Sequence, residues 1–219
     1  CGDCWAFGTV APLESKILIN EHLSEDLSEQ WLKSCNTGGY SCNGGWWAHQ
    51  WHAGTKGKCG GTGAVEEDEG PPYSGSTGTC GGPYPHKYLI TKWAYIGGEH
   101  SVPSTSAIKN AIYNYGPVSA AVYVDSAFQG YTGGVFKGTA GGRVNHAVVL
   151  VGWNDDGNYW ILRNSWGTGW GESGYMRIKY GSQQIGYASC YIDGYKSQFS
   201  GEETVTLELT QVTNKGDSY

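Results

Sequence analysis

Three residue types in this chain combine into an activated nucleophile: the thiol of Cys4, an imidazole at His146 to take its proton, and an amide at Asn164 to hold the imidazole. They stand in three blocks, Cys1-Gly2-Asp3-Cys4-Trp5-Ala6-Phe7, Asn145-His146-Ala147 and Arg163-Asn164-Ser165-Trp166-Gly167. A thiol attacks carbon as its anion, and an imidazolium or a helix N-terminus stabilises that anion. The chemistry on offer is thiolate attack at an acyl carbon.

Such chemistry needs rigid elements behind it. Trp5, Ala6, Val10, Leu13 and Ile17 recur every three or four positions and predict an amphipathic helix starting close to Cys4, which puts the thiolate at the positive end of the helix dipole. Val144 to Val151 reads as a buried strand holding His146, and Asn164 follows a strand-like run, Tyr159-Trp160-Ile161-Leu162. Asn164 is expected to accept from the far ring N–H of His146, and Trp166 to shield that bond from water. Asp3, at the helix start, shares the dipole with the thiolate and repels it, so the thiol pKa is expected to be less depressed than a neutral neighbour would leave it.

Further along, Ser28 reads as the N-cap of a second helix, with Glu29 in its first turn. Gly54 to Pro85 is rich in Gly, Pro and Ser and reads as loop. Ile108 and Ile112, opened by Ser104 or Thr105 and closed by Gly116-Pro117, mark a helix over 106–115. Val118–Val124, Ala147–Trp153, Tyr159–Arg163 and Tyr175–Tyr180 read as strands, with Asp155-Asp156-Gly157-Asn158 as a hairpin connection. Helices first and strands second indicate an α+β chain in two halves, with the nucleophile from one and the base from the other.

Each chemical block alone has an ordinary reading, a buried thiol, a core histidine or a turn. Together they carry more. His146 and Asn164 lie 142 and 160 residues beyond Cys4, and with Ser28-Glu29-Gln30, Cys42-Asn43-Gly44-Gly45 and the run Asn164 to Tyr175 the chain resembles the papain-like cysteine proteases, the cathepsin family. The resemblance runs from Cys1 to about Phe199, with Trp47 to Lys92 poorly matched.

That resemblance implies a two-lobed α+β fold: a helical lobe over 1–93 carrying the nucleophile, an antiparallel, barrel-like lobe over 94–199 carrying His146 and Asn164, and the active site in the cleft. Residues 200–219, where Val205, Leu207 and Leu209 alternate with polar residues, read as an extra strand or the start of an extension. The implied activity is cysteine endopeptidase, without cofactor or metal. Gly44 and Gly45 are implied to offer backbone to an extended peptide, with Gly2 and Asn145 also touching substrate. Trp46, Trp47, Ala121, Val144 and Ala147 are implied to line the second subsite, with Tyr195 closing its end, which gives an expected hydrophobic or aromatic preference two residues before the scissile bond. Interdomain packing is the alternative role for the two tryptophans. The implied partners are a peptide or protein substrate and a propeptide or cystatin-like inhibitor. The family's oxyanion hole uses a glutamine upstream of Cys1, so a fragment is expected. A catalytically impaired homologue acting as a binding protein is the alternative.

Composition narrows the field. At 219 residues with 36 Gly, 10 Trp and 16 Tyr, the chain is loop-rich and aromatic-heavy. A net charge of −6 and the lack of any basic run argue against nucleic acid, and no apolar stretch approaches the ~20 residues that cross a bilayer. The resemblance implies a monomer in a lysosome, vacuole or secreted setting. Seven cysteines suit an oxidising compartment, with Cys4 the natural odd thiol. The resemblance implies bridges Cys1–Cys42 and Cys35–Cys80. It leaves Cys190 without its usual partner and Cys59 unassigned. Among rivals, a redox pair Cys1-x-x-Cys4 lacks the flanking strand-helix-strand frame. A zinc site from Cys1, Cys4, His49 and His52 misses the usual spacings, and a glycan-binding module explains the aromatics but not Cys4, His146 and Asn164.

Overall fold

The structure, a computed structural model, describes residues 1–139 and 141–198. The strand expected within 200–219 lies outside those residues.

Helix α1 (Cys4–Glu21) buries Trp5, Ala6, Val10, Leu13 and Ile17 on one face and ends at His22, whose left-handed φ of 59° lets its N–H reach the Leu18 carbonyl. Pro12 sits inside it. Proline has no N–H for the carbonyl four residues back, that of Gly8. Ser119 supplies the missing donor: its Oγ donates to the Gly8 carbonyl at 2.6 Å. A Cβ on Gly8 would meet the Trp47 ring at 3.0 Å and the Ala147 methyl at 3.2 Å, so glycine sets how closely α1 lies on the sheet.

Helix α2 (Glu29–Cys35) opens on Ser28, whose Oγ accepts from the Trp31 N–H at 3.1 Å. A single turn, α3 (His49–His52), follows. After a long irregular stretch come β1 (Tyr88–Tyr95) and α4 (Thr105–Tyr115), the latter capped by Ser104. Among the described residues there follow β2 (Val118–Val122), α5 (Ser126–Gln129), β3 (Val135–Phe136), β4 (His146–Asn154), β5 (Tyr159–Arg163), β6 (Tyr175–Lys179), a short 3-10 helix (Ser182–Gln184) and β7 (Tyr187–Ser197).

The strands form one sheet in the order β1-β7-β2-β4-β5-β6-β3. Two expectations need correction. The sheet does not close into a barrel, because β1 and β3 stay as separate edges, and β3 pairs with β6 in parallel where an antiparallel lobe was expected. A division at residue 93 also falls inside β1, which pairs along its length with β7 from the far end of the chain. The reason is packing: Tyr88 and Ile90 of β1 and Ile192 of β7 belong to the helical core with Trp5, Leu13, Trp31 and Leu32. A second core lies under the sheet, around Phe128, Leu150, Trp160, Leu162, Met176 and Ile178. A smaller cluster of Trp47, Ala121, Ala147 and Cys190 joins the two, with Cys4 and Val144 against it.

Candidate active site

Cys4 is the first residue of α1, at the end where helical N–H groups lack partners within the helix. Burial pushes the thiol pKa up. The backbone N–H groups of Ala147, Trp5 and Cys4 itself pull it down, and the charge of Asp3 raises it further. Asp3 is the N-cap by position, but its side chain makes no cap hydrogen bond. Its carboxylate pairs instead with the fully buried Lys33 at 2.9 Å and accepts from the Tyr73 hydroxyl at 2.9 Å. Lys33 also donates to the Ser74 carbonyl at 2.7 Å and lies 4.3 Å from the centre of the Tyr73 ring.

His146 opens β4, directly across from Val122 of β2. Its Nε2 lies 2.8 Å from Oδ1 of Asn164. The same oxygen accepts from the Ser165 N–H at 2.9 Å, and the Asn164 N–H is bonded to the Gly174 carbonyl. With Oδ1 fixed as the acceptor, Nε2 carries the hydrogen and Nδ1 is left as the basic nitrogen. The Trp166 ring lies on the imidazole with centroids 4.8 Å apart, and Phe128 and Trp170 pack against Trp166 edge-on. Burial pushes the His146 pKa down, and the Asn164 contact opposes it.

Cys4 and His146 line one cleft of 290 Å³ together with Gly2, Gly44, Gly45, Trp46, Trp47, Ala121, Val144, Asn145 and Ala147. Trp5, Cys42 and Asn43, which sequence reasoning missed, line it too. Their signal lay in the blocks Cys1 to Phe7 and Cys42-Asn43-Gly44-Gly45, which hold all three. Two glycines are required by close approach. A Cβ on Gly45 would lie 2.7 Å from the Trp5 ring, and one on Gly2 would lie 2.7 Å from the Cys42 carbonyl, which accepts the Gly2 N–H at 2.8 Å. Trp46 donates to the Tyr95 hydroxyl at 3.2 Å. Trp47 is almost fully buried and donates to the Ala188 carbonyl at 2.8 Å, so it tethers the helical half to β7 as well as walling the cleft. Asn145 turns its amide onto the Val124 backbone, with both polar atoms engaged.

Tyr195 does not close this cleft. Register on β1 places it opposite Ile90, its ring packs against Tyr88, and its hydroxyl donates to Glu21 at 2.5 Å. The β7 residue behind the cleft wall is Cys190, in the seam cluster with Trp47.

The sulfurs separate into roles. Disulfides join Cys1 to Cys42 and Cys35 to Cys80. Cys1 is therefore no redox partner for Cys4 and has no sulfur to lend to zinc. Cys4, Cys59 and Cys190 are free. Cys190 Sγ approaches His49 Nε2 at 3.3 Å. His49 is 1% exposed and Cys190 0%. Burial holds the imidazole neutral, with a pKa of about 3, and pushes the thiol up to about 12. A sealed, uncharged pair of this kind has no route to a peptide.

A family model described as "Papain family cysteine protease" matches residues 1–197. Ananain from Ananas comosus is 36% identical over 184 residues, 81% of this chain and 50% of that protein. Cysteine proteinase COT44 from Brassica napus is 39% identical over 187 residues, 82% of this chain and 53% of that protein. The chain thus spans about half the length of these curated relatives. Among solved structures, the bromelain protease from Ananas comosus in complex with the E64 inhibitor aligns with a TM-score of 0.74 and 34% identity, over 88% of this chain and 89% of that one.

Proposed function

The chain belongs to the papain family of cysteine proteases, and from that premise we propose that it hydrolyses peptide bonds, with Cys4 as nucleophile, His146 as acid and base, and Asn164 holding His146. One observation carries the reading. A free thiol at a helix start and an imidazole held at its far nitrogen by an amide line the same cleft. In the proposed cycle the thiol proton passes to His146 Nδ1, the thiolate attacks the carbonyl, and His146 returns the proton to the leaving amine. Water then hydrolyses the acyl-enzyme with His146 as base. Burial favours the uncharged form of each group. The thiolate–imidazolium pair therefore draws on the attraction between its two charges and on the amides of Ala147 and Trp5.

The backbone of Gly44 and Gly45 is proposed to hold an extended substrate. The wall of Trp46, Trp47, Ala121, Val144 and Ala147 supports a preference for a hydrophobic or aromatic residue two positions before the scissile bond. A peptide-library profile preferring Arg or Asp there refutes that preference. Two disulfides fit an oxidising setting, lysosomal, vacuolar or secreted, and control by a propeptide or a cystatin-like inhibitor goes with the family reading.

The test is turnover of a fluorogenic peptide. It is expected to vanish in Cys4→Ala, and an epoxide of the E64 type is expected to label Cys4 in the parent. A parent that binds peptides in the cleft without turning them over is instead the impaired homologue.

A further inference from the structure

Three sulfurs meet at the back of the helical half. Those of Cys35, Cys59 and Cys80 all lie within 4.8 Å of one another, and Cys35 and Cys80 are already bonded. Cys59 is held there. Its Sγ donates to the Cys80 carbonyl at 3.1 Å, and the preceding Lys58 N–H donates to the Cys35 carbonyl at 2.7 Å. A Cβ on Gly57 would lie 3.0 Å from the Trp31 ring and 3.2 Å from that same carbonyl, so the loop carrying the thiol is pressed onto the end of α2.

We propose that Cys59, Cys35 and Cys80 form a thiol–disulfide exchange site, in which the Cys59 thiolate attacks the Cys35 sulfur and releases Cys80. A Cys35–Cys59 bond forms as the Cys35–Cys80 bond breaks. The Cys80 thiolate leaves with the electron pair and takes up a proton equivalent to the one Cys59 lost. The number of disulfides is unchanged, so no outside oxidant or reductant enters. Solvation sets the direction of attack. Cys80 is half-buried, whereas Cys35 is sealed in the helical core, and an anion leaves more readily into water than into an apolar interior.

Exchange at this site reaches the cleft through the strap between Tyr73 and Cys80. The Ser74 carbonyl accepts from Lys33, the Thr77 carbonyl from Ser34 and Gln30, and the Thr77 hydroxyl from the Cys42 N–H at 3.2 Å. Cys42 lines the cleft beside Gly44 and Gly45. Moving the bridge from Cys80 to Cys59 unpins the C-terminal end of this strap while α2 stays bridged.

The experiment maps disulfides in a Cys4→Ala background, which removes the cleft nucleophile from the exchange and makes the result independent of peptide hydrolysis. Folded protein is incubated at pH 8 without oxidant, quenched with acid, labelled with a maleimide, and unfolded and digested under acid. Label on Cys80 together with a Cys35–Cys59 linked peptide is expected, and both are lost when Cys59→Ser is added. Protein alkylated at Cys59 while folded, before the incubation, serves as a second control that needs no new fold. Cys80 staying unlabelled while Cys59 is fully labelled overturns the proposal, and label on Cys35 instead overturns the assigned direction of attack.

Discussion

Asp3 stands one residue before the proposed nucleophile, and its charge is one of the influences that raise the Cys4 pKa. A buried carboxylate without a counter-charge is costly, and here Lys33, thirty residues on, supplies it from the middle of α2. Breaking the pair from either side strands a charge. Lys33→Met is expected to cost about 3–5 kcal/mol of stability, whereas Asp3→Ser with Lys33→Met recovers most of that loss because both charges are gone. Denaturant unfolding of the parent, both single variants and the double variant measures it. Two equally destabilised variants, one with the pair half broken and one with it removed, defeat the argument. The double variant also separates charge from packing at the thiol. With the raising influence of Asp3 removed, alkylation of Cys4 is expected to titrate at lower pH than in the parent.

At the scale of elements, Pro12 and Ser119 are two halves of one device, since the first leaves the Gly8 carbonyl without its helical donor and the second supplies one from β2. Ser119→Ala is expected to cost about 1–3 kcal/mol, the price of an orphaned buried acceptor. Adding Pro12→Ala restores an N–H in register with Gly8, so the Ser119→Ala loss should shrink in that background. A cycle of thermal unfolding that finds the two changes additive rejects the coupling. Such devices are invisible in sequence, because Gly8 and Ser119 stand 111 positions apart and no local pattern links them. Local signals did mark much of the frame. Apolar spacing marked α1, Ser28 and Ser104 marked the openings of α2 and α4, and Asp155-Asp156-Gly157-Asn158 marked the turn between β4 and β5. The spacing of Cys4, His146 and Asn164 made the candidate site legible. What failed depends on remote pairing: β1 and β7 are strands because they pair with each other, Asp193-Gly194 breaks the pattern of β7, and the place of Tyr195 follows from its register against Ile90. α3 and β3 are too short to show a period.

The whole molecule should answer to pH through a pair of half-buried glutamates and a pair of buried histidines that pull in opposite directions. Glu14 and Glu29 line a cavity of 310 Å³ between α1, α2 and the Arg163 to Tyr175 segment that carries Asn164. Burial pushes their carboxyls up, to about 7 for Glu14 and about 8 for Glu29, with the neighbouring Glu14 charge adding to the second. Between about 4.5, where unfolded glutamates titrate, and these values, the folded chain holds protons that the unfolded chain releases, so rising pH costs stability across that window. His49 and His52 act the other way. Burial lowers both to about 3, so below about 6.5 the unfolded chain takes up protons that the folded chain refuses, and falling pH costs stability. From about 4.5 to 6.5 the two carboxyls offset most of the loss carried by His49 and His52, with His146, also pushed down by burial, adding to the imidazole side. Stability is therefore expected to be nearly flat there, to fall as pH rises from about 6.5 to 8, and to fall again as pH drops below about 4.5, where the histidine loss goes on without opposition. Thermal unfolding midpoints of the Cys4→Ala variant, scanned across this range, give the curve without self-digestion. Glu29→Gln removes one of the two carboxyls, because an amide cannot titrate: the fall between pH 6.5 and 8 should become shallower, the window from 4.5 to 6.5 should tilt upward with pH, and the limb below about 4.5 should stay as it was. An alkaline limb unchanged in Glu29→Gln would mean that the fall does not originate at this carboxyl.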